Sequence, residues 1–132
     1  MAQRPLSLIL ARNLLASIST PGFLVDGTGV LVFYNEAAGS LLGAQFEETG
    51  KLSPEEWGRM FGPFGDDGEP IPWDRLPLTQ DLRADRPSHS TFTIRGVSGV
   101  EHEIEMSALP LVTAEGFTGA LAIFWTRGES QG

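Results

Sequence analysis

Hydrophobic residues near the N-terminus recur with the spacing of a helix. They form two adjacent stripes, one at Leu6, Leu10, Leu14 and Ile18 and the other at Leu8, Ala11 and Leu15. A helix that lies on one surface of a monomer needs only a single apolar stripe. The pattern therefore predicts an N-terminal helix, within residues 1–20, that caps the domain with one stripe and contributes the other to a dimer interface.

Two short apolar runs, at residues 23–26 and 30–34, flank the turn sequence Asp-Gly-Thr-Gly. Such a turn between apolar runs predicts an antiparallel hairpin. Both runs are apolar at successive positions, which indicates strands that are covered on both faces. Asn35 follows directly and predicts the N-cap of a helix of small residues that ends at Gly43.

The rest of the chain predicts two more helices and then three strands. The helices are expected at residues 54–60 and 77–84, each beginning with a proline. Alternating apolar and polar residues predict strands at 90–95, 101–109 and 117–126. In the last strand Ala120, Ala122 and Phe124 share one face, and Leu121, Ile123 and Trp125 share the other. This order predicts an α+β domain with short helices on one face of an antiparallel sheet.

Composition excludes several classes of function. The 132 residues include 17 acidic and 9 basic side chains, so the net charge is −8, and cysteine is absent. An acidic surface repels phosphate, which argues against nucleic acid as a partner. No apolar run approaches the ~20 residues of a membrane span, and Arg12 and Asn13 interrupt the only stretch that resembles a signal peptide. We predict a soluble cytoplasmic protein without a membrane partner.

Four segments of the sequence resemble PAS domains. They are FLVDGTGVLVFYNEAAGSLLG at 23–43, DGEPIPWDRLPLTQDLRADRP at 67–87, SALPL at 107–111 and GALAIFWTR at 119–127. The resemblance implies the PAS fold, a five-stranded antiparallel sheet of order 2-1-5-4-3 with short helices on one face and an N-terminal helix on the other. It places a PAS core at residues 21–127 and a short tail at 128–132.

The resemblance raises the question of a cofactor, because PAS domains bind haem, flavin, small carboxylates, lipids or nothing. The light-sensing flavin branch uses a reactive Cys, and a Gln on the last strand where this chain has Phe124. The haem branch commonly uses a His on the third helix, and residues 77–86 contain none. The sequence thus argues against both groups and predicts no cofactor, or at most a small apolar molecule.

The predicted pocket combines inward-facing strand residues, the third helix and aromatic residues at the rim. Its predicted lining is Trp57, Trp73, Leu78, Leu82, Phe92, Ile94, His102, Ile104, Met106, Ala108, Ala120, Ala122 and Phe124. The two tryptophans can stack on a planar ligand or simply pack in the core, and packing is the default. His102 can point inward or form a hydrogen bond near the rim, and we favour the rim.

A row of carboxylates on the fourth strand, Glu101, Glu103 and Glu105, raises the possibility of a metal ladder or an acid–base pair. A solvated strand face with cross-strand basic partners such as Arg95 explains the row more simply. No nucleophile motif, phosphate-binding loop or metal-ligand spacing occurs in the chain. We therefore predict neither an enzyme nor a metal site.

The function predicted from these observations is that of a sensory domain that signals through dimer or partner contacts, with a small apolar ligand in its pocket. The alternative is a ligand-free, constitutive dimerisation or protein-interaction module, and an enzyme using the same pocket is a weaker third reading. The expected partners are a second copy of the chain and a downstream signalling protein or output domain. The predicted dimer interface comprises Leu6, Leu10, Leu14, Ile18, Leu121, Ile123 and Trp125.

Overall fold

The computed structural model describes residues 6–114 and 116–127, without the side chains of Leu6, Ser7 and Pro77. The predicted tail at 128–132 lies outside the described residues. The helices are α1 (Leu6–Ala16), α2 (Glu36–Leu42), α3 (Phe46–Thr49), α4 (Pro54–Phe61) and α5 (Pro77–Arg83), and the strands are β1 (Gly22–Asp26), β2 (Leu31–Tyr34), β3 (Ser88–Arg95), β4 (Glu101–Thr113) and β5 (Gly116–Thr126).

The five strands form one antiparallel sheet in the order β2-β1-β5-β4-β3. The α+β architecture and the strand order predicted from the sequence are confirmed. Helices α2 to α5 lie on one face of the sheet, which we call the inner face, and α1 lies on the opposite, outer face. Each face has its own buried apolar cluster, because strands β1 and β5 at the centre of the sheet are covered on both sides.

One apolar stripe of helix α1 faces the protein, and the other faces the solvent. Leu8, Ala11 and Leu15 are buried against the outer face of the sheet. Leu10 and Leu14 remain 58% and 55% exposed. Helix α1 is much shorter than a bilayer is thick. No helix in residues 6–114 and 116–127 is both long and apolar enough to cross one.

Asn35 joins three elements at the point where β2 turns into α2. Its Oδ1 accepts from the backbone N–H of Ala38, as the predicted N-cap, and also from the N–H of Gly22 at the start of β1. Its Nδ2 donates to the carbonyl oxygens of Leu15 in α1 and Thr20 in the following loop. The side chain is only 2% exposed, so these four bonds replace the ones that water would make.

Several predicted elements need correction. Four short helices, not three, connect β2 to β3, because the four-residue helix α3 is too short to show a helical period. A further turn of 3₁₀ helix at Trp73–Arg75 was not predicted. His89 lies within β3 rather than ahead of it, and β4 continues to Thr113 instead of stopping at residue 109. Each difference is at an element boundary or in a segment of fewer than five residues.

The helix N-termini show how the short helices form without long periodic patterns. In α4 the Ser53 side chain accepts from the N–H of Glu56, and the Glu56 side chain accepts from the N–H of Ser53. These hydrogen bonds with the backbone and hydroxyl of Ser53 lower the pKa of the Glu56 carboxyl. Such a capping box starts a helix locally, and the tertiary contacts of its apolar side then hold it against the sheet.

Candidate functional site

An apolar cavity of about 90 Å³ lies between the inner face of the sheet and the helices. Twelve of the thirteen residues predicted for the pocket border it: Trp57, Trp73, Leu78, Leu82, Phe92, Ile94, Ile104, Met106, Ala108, Ala120, Ala122 and Phe124. The short side chains of Ala120 and Ala122 on β5 border the space, and Phe23 and Phe124, whose ring centroids are 6.0 Å apart, border it too. A ligand role for these residues remains a prediction.

His102 is the predicted pocket residue that the structure places elsewhere. It is half-buried, pairs with Ile94 across the hairpin, and does not border the cavity. The reason is its position: His102 is the second residue of β4, beside the turn at 96–100. At that level of the sheet Ile94, the partner of His102 on β3, borders the cavity, whereas β4 borders it from Ile104 onward. Alternation therefore identifies the face but not which residue of a cross-strand pair reaches the cavity.

The sequence analysis also missed residues that complete the cavity wall. They come from β1, β2, the N-terminal half of the helical layer and the 62–63 peptide: Phe23, Val25, Leu31, Tyr34, Ala38, Leu42, Phe61, Gly62, Pro63 and Leu76. A signal was available, since the hairpin strands are apolar at successive positions and one face of each must point inward. Assigning that face requires the pairing of β1 with β5, which the hairpin sequence does not specify.

Tyr34 brings a hydroxyl close to the cavity but uses it within the protein. Its hydroxyl donates to the carbonyl oxygen of Ala44 at 2.7 Å and lies 3.1 Å from the hydroxyl oxygen of Thr49. Burial is the main cause that raises the pKa of Tyr34, with a smaller contribution from the charges of Glu48 and Glu47, while the bond to Thr49 opposes it. The phenol is therefore neutral at physiological pH and is already engaged.

Two tryptophans form one wall of the cavity and differ in their hydrogen bonding. The rings of Trp57 and Trp73 meet edge to face, with centroids 6.1 Å apart and an interplanar angle of 87°. Trp57 Nε1 donates to the carbonyl oxygen of Gly29 at 2.8 Å. Trp73 Nε1 is buried and has no hydrogen-bond partner. One indole N–H is thus hydrogen-bonded within the protein and the other is not.

Gly29 explains how the tryptophan pair fits against the β1–β2 turn. A Cβ atom at Gly29 would lie 2.8 Å from Trp73 Nε1 and 2.9 Å from Cδ1 and Cε2 of the same ring. The residue also has a φ of +90°, which side-chain-bearing residues rarely adopt. A glycine here allows the turn to form and the indole of Trp73 to lie directly on it.

The carboxylates of β4 lie on the outer face and pair with basic side chains. Glu101 contacts Arg95 at 3.3 Å, Glu103 contacts Arg127 at 3.4 Å, and Glu105 contacts His89 at 3.2 Å. Arg95 and His89 lie on the adjacent strand β3 and Arg127 directly follows β5, as expected for cross-strand partners on a solvated sheet face. Among the described residues, no group of three histidine, aspartate or glutamate side chains could hold a metal ion.

Only some of the residues predicted for the dimer interface are exposed. Leu10 and Leu14 are exposed on α1, whereas Leu121 and Ile123 pack against the apolar cluster beneath that helix. Ile18 packs against the same cluster, and the side chain of Leu6 is not among those described. Leu121 and Ile123 are half-buried beneath α1, whereas Trp125 lies outside that cluster, is half-buried and contacts the ring of His89. The interface itself remains a prediction.

Ala120→Leu tests whether the cavity is real empty space. The three added carbons would enter the cavity that Ala120 borders, so we expect the free energy of unfolding to stay within about 1 kcal/mol of wild type or to increase. Ala11→Leu is the matched control, because Ala11 is 7% exposed and packs in the other cluster, under α1. We expect it to lose about 1–3 kcal/mol by overpacking. Equal losses in urea unfolding would mean that the space beside Ala120 is filled.

Three solved structures illustrate the likeness of this fold to known proteins. The Rhodobacter sphaeroides LOV protein superimposes with a TM-score of 0.75 at 12% identity, covering 96% of this chain and 71% of its own. A PAS domain from a two-component sensor histidine kinase gives a TM-score of 0.63 at 14% identity, covering 95% and 100%. A light-oxygen-voltage domain studied with a flavin analogue gives 0.63 at 14%, covering 89% and 84%.

The protein has the PAS fold. No protein-family model matches the chain, and no curated protein sequence matches it significantly. The PAS fold is therefore recognised from its three-dimensional arrangement, together with the sequence segments that resemble it. At identities of 12% and 14% the likeness establishes the fold and leaves the ligand to be determined from the pocket itself.

The presence of light-oxygen-voltage domains among these PAS-fold structures corrects one prediction. The inference that the domain carries no cofactor, and the argument against flavin, are overturned by this likeness. Those inferences used the absence of cysteine and the presence of Phe124, which concern photochemistry and one hydrogen bond.

The cavity described would have to enlarge to hold a flavin. Its volume of about 90 Å³ is smaller than the ~150 Å³ apolar cavity that accommodates a benzene ring in an engineered protein. A flavin ring is larger than benzene and has several polar edge atoms that need partners.

Proposed function

We propose that the protein is a sensory domain that transmits a change in its pocket through its dimer or partner contacts. The observation that supports this most directly is that the same central strands serve both surfaces. On β1, Val25 borders the cavity while the adjacent Leu24 packs beneath α1. On β5, Ala122 and Ile123 divide in the same way.

This arrangement provides a physical route between the two faces of the sheet. A ligand that pushes on Val25 or Ala122 displaces strands whose opposite side chains support α1. Protein interiors are closely packed and transmit such displacements. The exposed stripe of α1 would then change its position relative to whatever it contacts.

The partner that we propose for this stripe is a second copy of the chain. Ile9, Leu10 and Leu14 are 42%, 58% and 55% exposed and neighbour one another on one helix. Contiguous apolar surface of this kind marks interaction sites on proteins. Two copies related by a twofold axis would bury the same stripe on both helices, which is the usual geometry of a homodimer.

The assembly can be tested by the mass in solution. At micromolar concentration we expect light scattering to give twice the chain mass of 14.2 kDa. Leu10→Glu places a charge in the centre of the stripe and should shift the protein to monomer. Gln80→Glu adds the same charge on the exposed side of α5, on the other face of the sheet, and should leave the dimer intact. A monomeric wild type, or a dimer that is indifferent to Leu10→Glu, contradicts the proposal.

A second candidate function is supported by the small size of the cavity. A space of about 90 Å³ can also be tolerated as a packing defect, and the domain would then act as a constitutive dimerisation or protein-interaction module. Native mass spectrometry of the purified protein separates the two candidates. A bound small molecule, a flavin included, supports the sensor, and an apo-protein mass that added ligands do not change supports the module.

A further inference from the structure

We propose that Phe46 couples the cavity to helix α1 around the β2 edge of the sheet, as a positioning residue for that helix. This connection is separate from the central strands and passes through side chains rather than through the hydrogen-bonded backbone of the sheet. The inference rests on the proposed function, because it assumes that a change in the cavity is transmitted to α1.

Phe46 contacts both faces of the sheet at its β2 edge. Phe33 and Tyr34 are consecutive residues of β2, the strand at that edge, so their side chains point to opposite faces. Phe33 belongs to the apolar cluster on the outer face and Tyr34 to the one on the inner face. Among the described residues, Phe46 alone packs against both clusters. Its ring therefore lies around the edge of the sheet.

Three ring contacts connect the cavity to the outer face by way of Phe46. Tyr34 and Phe61 both border the cavity, and their ring centroids are 6.5 Å apart. The ring of Phe46 meets the ring of Tyr34 at 5.5 Å and 83°, and that of Phe33 at 5.4 Å and 67°. Aromatic rings attract each other at these separations, and chains of packed side chains carry coupling between sites. A displacement of Tyr34 is therefore passed to Phe33.

The segment that carries Phe46 is attached to Tyr34 on both sides of that residue. The hydroxyl of Tyr34 donates to the carbonyl oxygen of Ala44 at 2.7 Å and lies 3.1 Å from the hydroxyl oxygen of Thr49. Phe46 lies between these two contacts, at the start of α3. A movement of Tyr34 therefore carries α3 with it instead of sliding past the ring of Phe46.

Arg12 connects the two phenylalanine rings to α1. Its Cζ atom lies 4.7 Å from the ring centroid of Phe33 and 5.9 Å from that of Phe46. A guanidinium within about 6 Å of a ring centroid is attracted to the ring. Arg12 is half-buried in the middle of α1, between the exposed Leu10 and Leu14. A shift of the rings therefore acts on the part of α1 that carries its exposed stripe.

Xenon is a suitable probe, because it enters apolar cavities. In ¹H–¹⁵N spectra recorded under xenon pressure, we expect the backbone amide of Ala122, which borders the cavity, to shift. The amide of Leu14 on α1 should shift with it. Ala120→Leu fills the cavity and should remove both shifts, which shows that xenon acts from that site. The ratio of the Leu14 shift to the Ala122 shift then measures the transmission.

Phe46→Leu tests the connection around the edge. The central strands remain in this variant, so we expect the ratio to fall at least twofold rather than to vanish. Phe46→Tyr keeps the ring and should retain the ratio. If Phe46→Leu does not fold, Arg12→Gln interrupts the same connection at α1 and carries the same expectation.

Phe64→Leu is the matched control. It makes the same change at a ring that also lies beside an arginine, with the Cζ atom of Arg95 4.3 Å from its centroid. Phe64 belongs to neither apolar cluster, so the ratio should stay at the wild-type value. An equal fall in Phe64→Leu and Phe46→Leu would contradict a specific role of Phe46.

The possible failures are distinguishable. If both amides respond in the wild type and the ratio is unchanged in Phe46→Leu, the role of Phe46 is wrong while the proposed function stands. If Ala122 responds and Leu14 does not, transmission from the cavity to α1 fails, and this inference fails with it. If Ala122 does not respond either, the ligand-binding part of the proposed function fails together with the inference.

Discussion

Asn35→Ala is expected to lose about 3–4 kcal/mol of unfolding free energy, a large part of the stability of an ordinary domain. The substitution removes an N-cap, which costs ~1 kcal/mol by itself. It also leaves the N–H of Gly22 without its acceptor and takes a donor from the carbonyl oxygens of Leu15 and Thr20. The N–H of Gly22 is the buried group left unpaired, which adds about 1–3 kcal/mol, because the carbonyl oxygen of Leu15 still accepts from the N–H of Ile18 and the contact at Thr20 is only partly buried. Urea unfolding, evaluated from the midpoint at constant slope, measures the loss.

Two controls identify the origin of the loss. Asn13→Ala changes an exposed asparagine on α1 and should stay within about 0.5 kcal/mol of wild type.

Asn35→Asp keeps the acceptor for Gly22 and Ala38 but turns a carboxylate oxygen toward two carbonyl oxygens. Protonating that carboxyl restores one donor, and burial raises the pKa of the introduced carboxyl. Its deficit relative to wild type should therefore shrink from pH 7 to pH 4. If Asn35→Ala lost no more unfolding free energy than the loss of an ordinary N-cap, the role of Asn35 in joining these elements would be contradicted.

Gly29→Ala is expected to lose about 3 kcal/mol, the second-largest effect among these variants. Part of the loss is backbone strain, because the φ of Gly29 is +90°, and such a conformation costs a residue with a Cβ about 1–2 kcal/mol. The remainder comes from overpacking, because the new Cβ would lie 2.8 Å from a ring atom of Trp73. That ring is buried between the turn and Trp57 and cannot easily move away.

Gly99→Ala separates the two parts of this loss. Gly99 has nearly the same φ, +89°, but nothing lies within 4 Å of the position of its Cβ. We expect it to lose only the strain energy of about 1–2 kcal/mol. The difference between the two variants in urea unfolding measures the contact between Trp73 and the turn. Equal losses would show that the indole does not lie against Gly29 in solution.

The fold could be predicted from the sequence to the extent that its signals are local. The cap at Asn35, the stop at Gly43 with its φ of +86° and the alternation along β5 each depend on residues within one element. The two apolar stripes of α1 likewise predicted one side buried against the sheet and one side left exposed. Short elements were lost for the same reason, because the four residues of α3 cannot display a period.

The candidate site was predictable only where alternation decides which way a strand residue points. Ala120, Ala122 and Phe124 followed from period two along β5. The exclusion of His102 did not, because at that level of the sheet its cross-strand partner Ile94 borders the cavity and His102 does not. The argument against flavin was also wrong, because it rested on the identities of two side chains and is overturned by the likeness of the fold to light-oxygen-voltage domains.

By itself the sequence determined the longer elements, their order and the faces of the alternating strands, because these depend on spacing along the chain. Only the tertiary structure decided the partners of buried polar groups. Asn35 bonds to Leu15, Thr20 and Gly22, which lie 20, 15 and 13 residues away. Trp57 finds its acceptor 28 residues away, while Trp73 finds none. No local pattern encodes such pairs, because they exist only once the sheet brings distant backbone groups together.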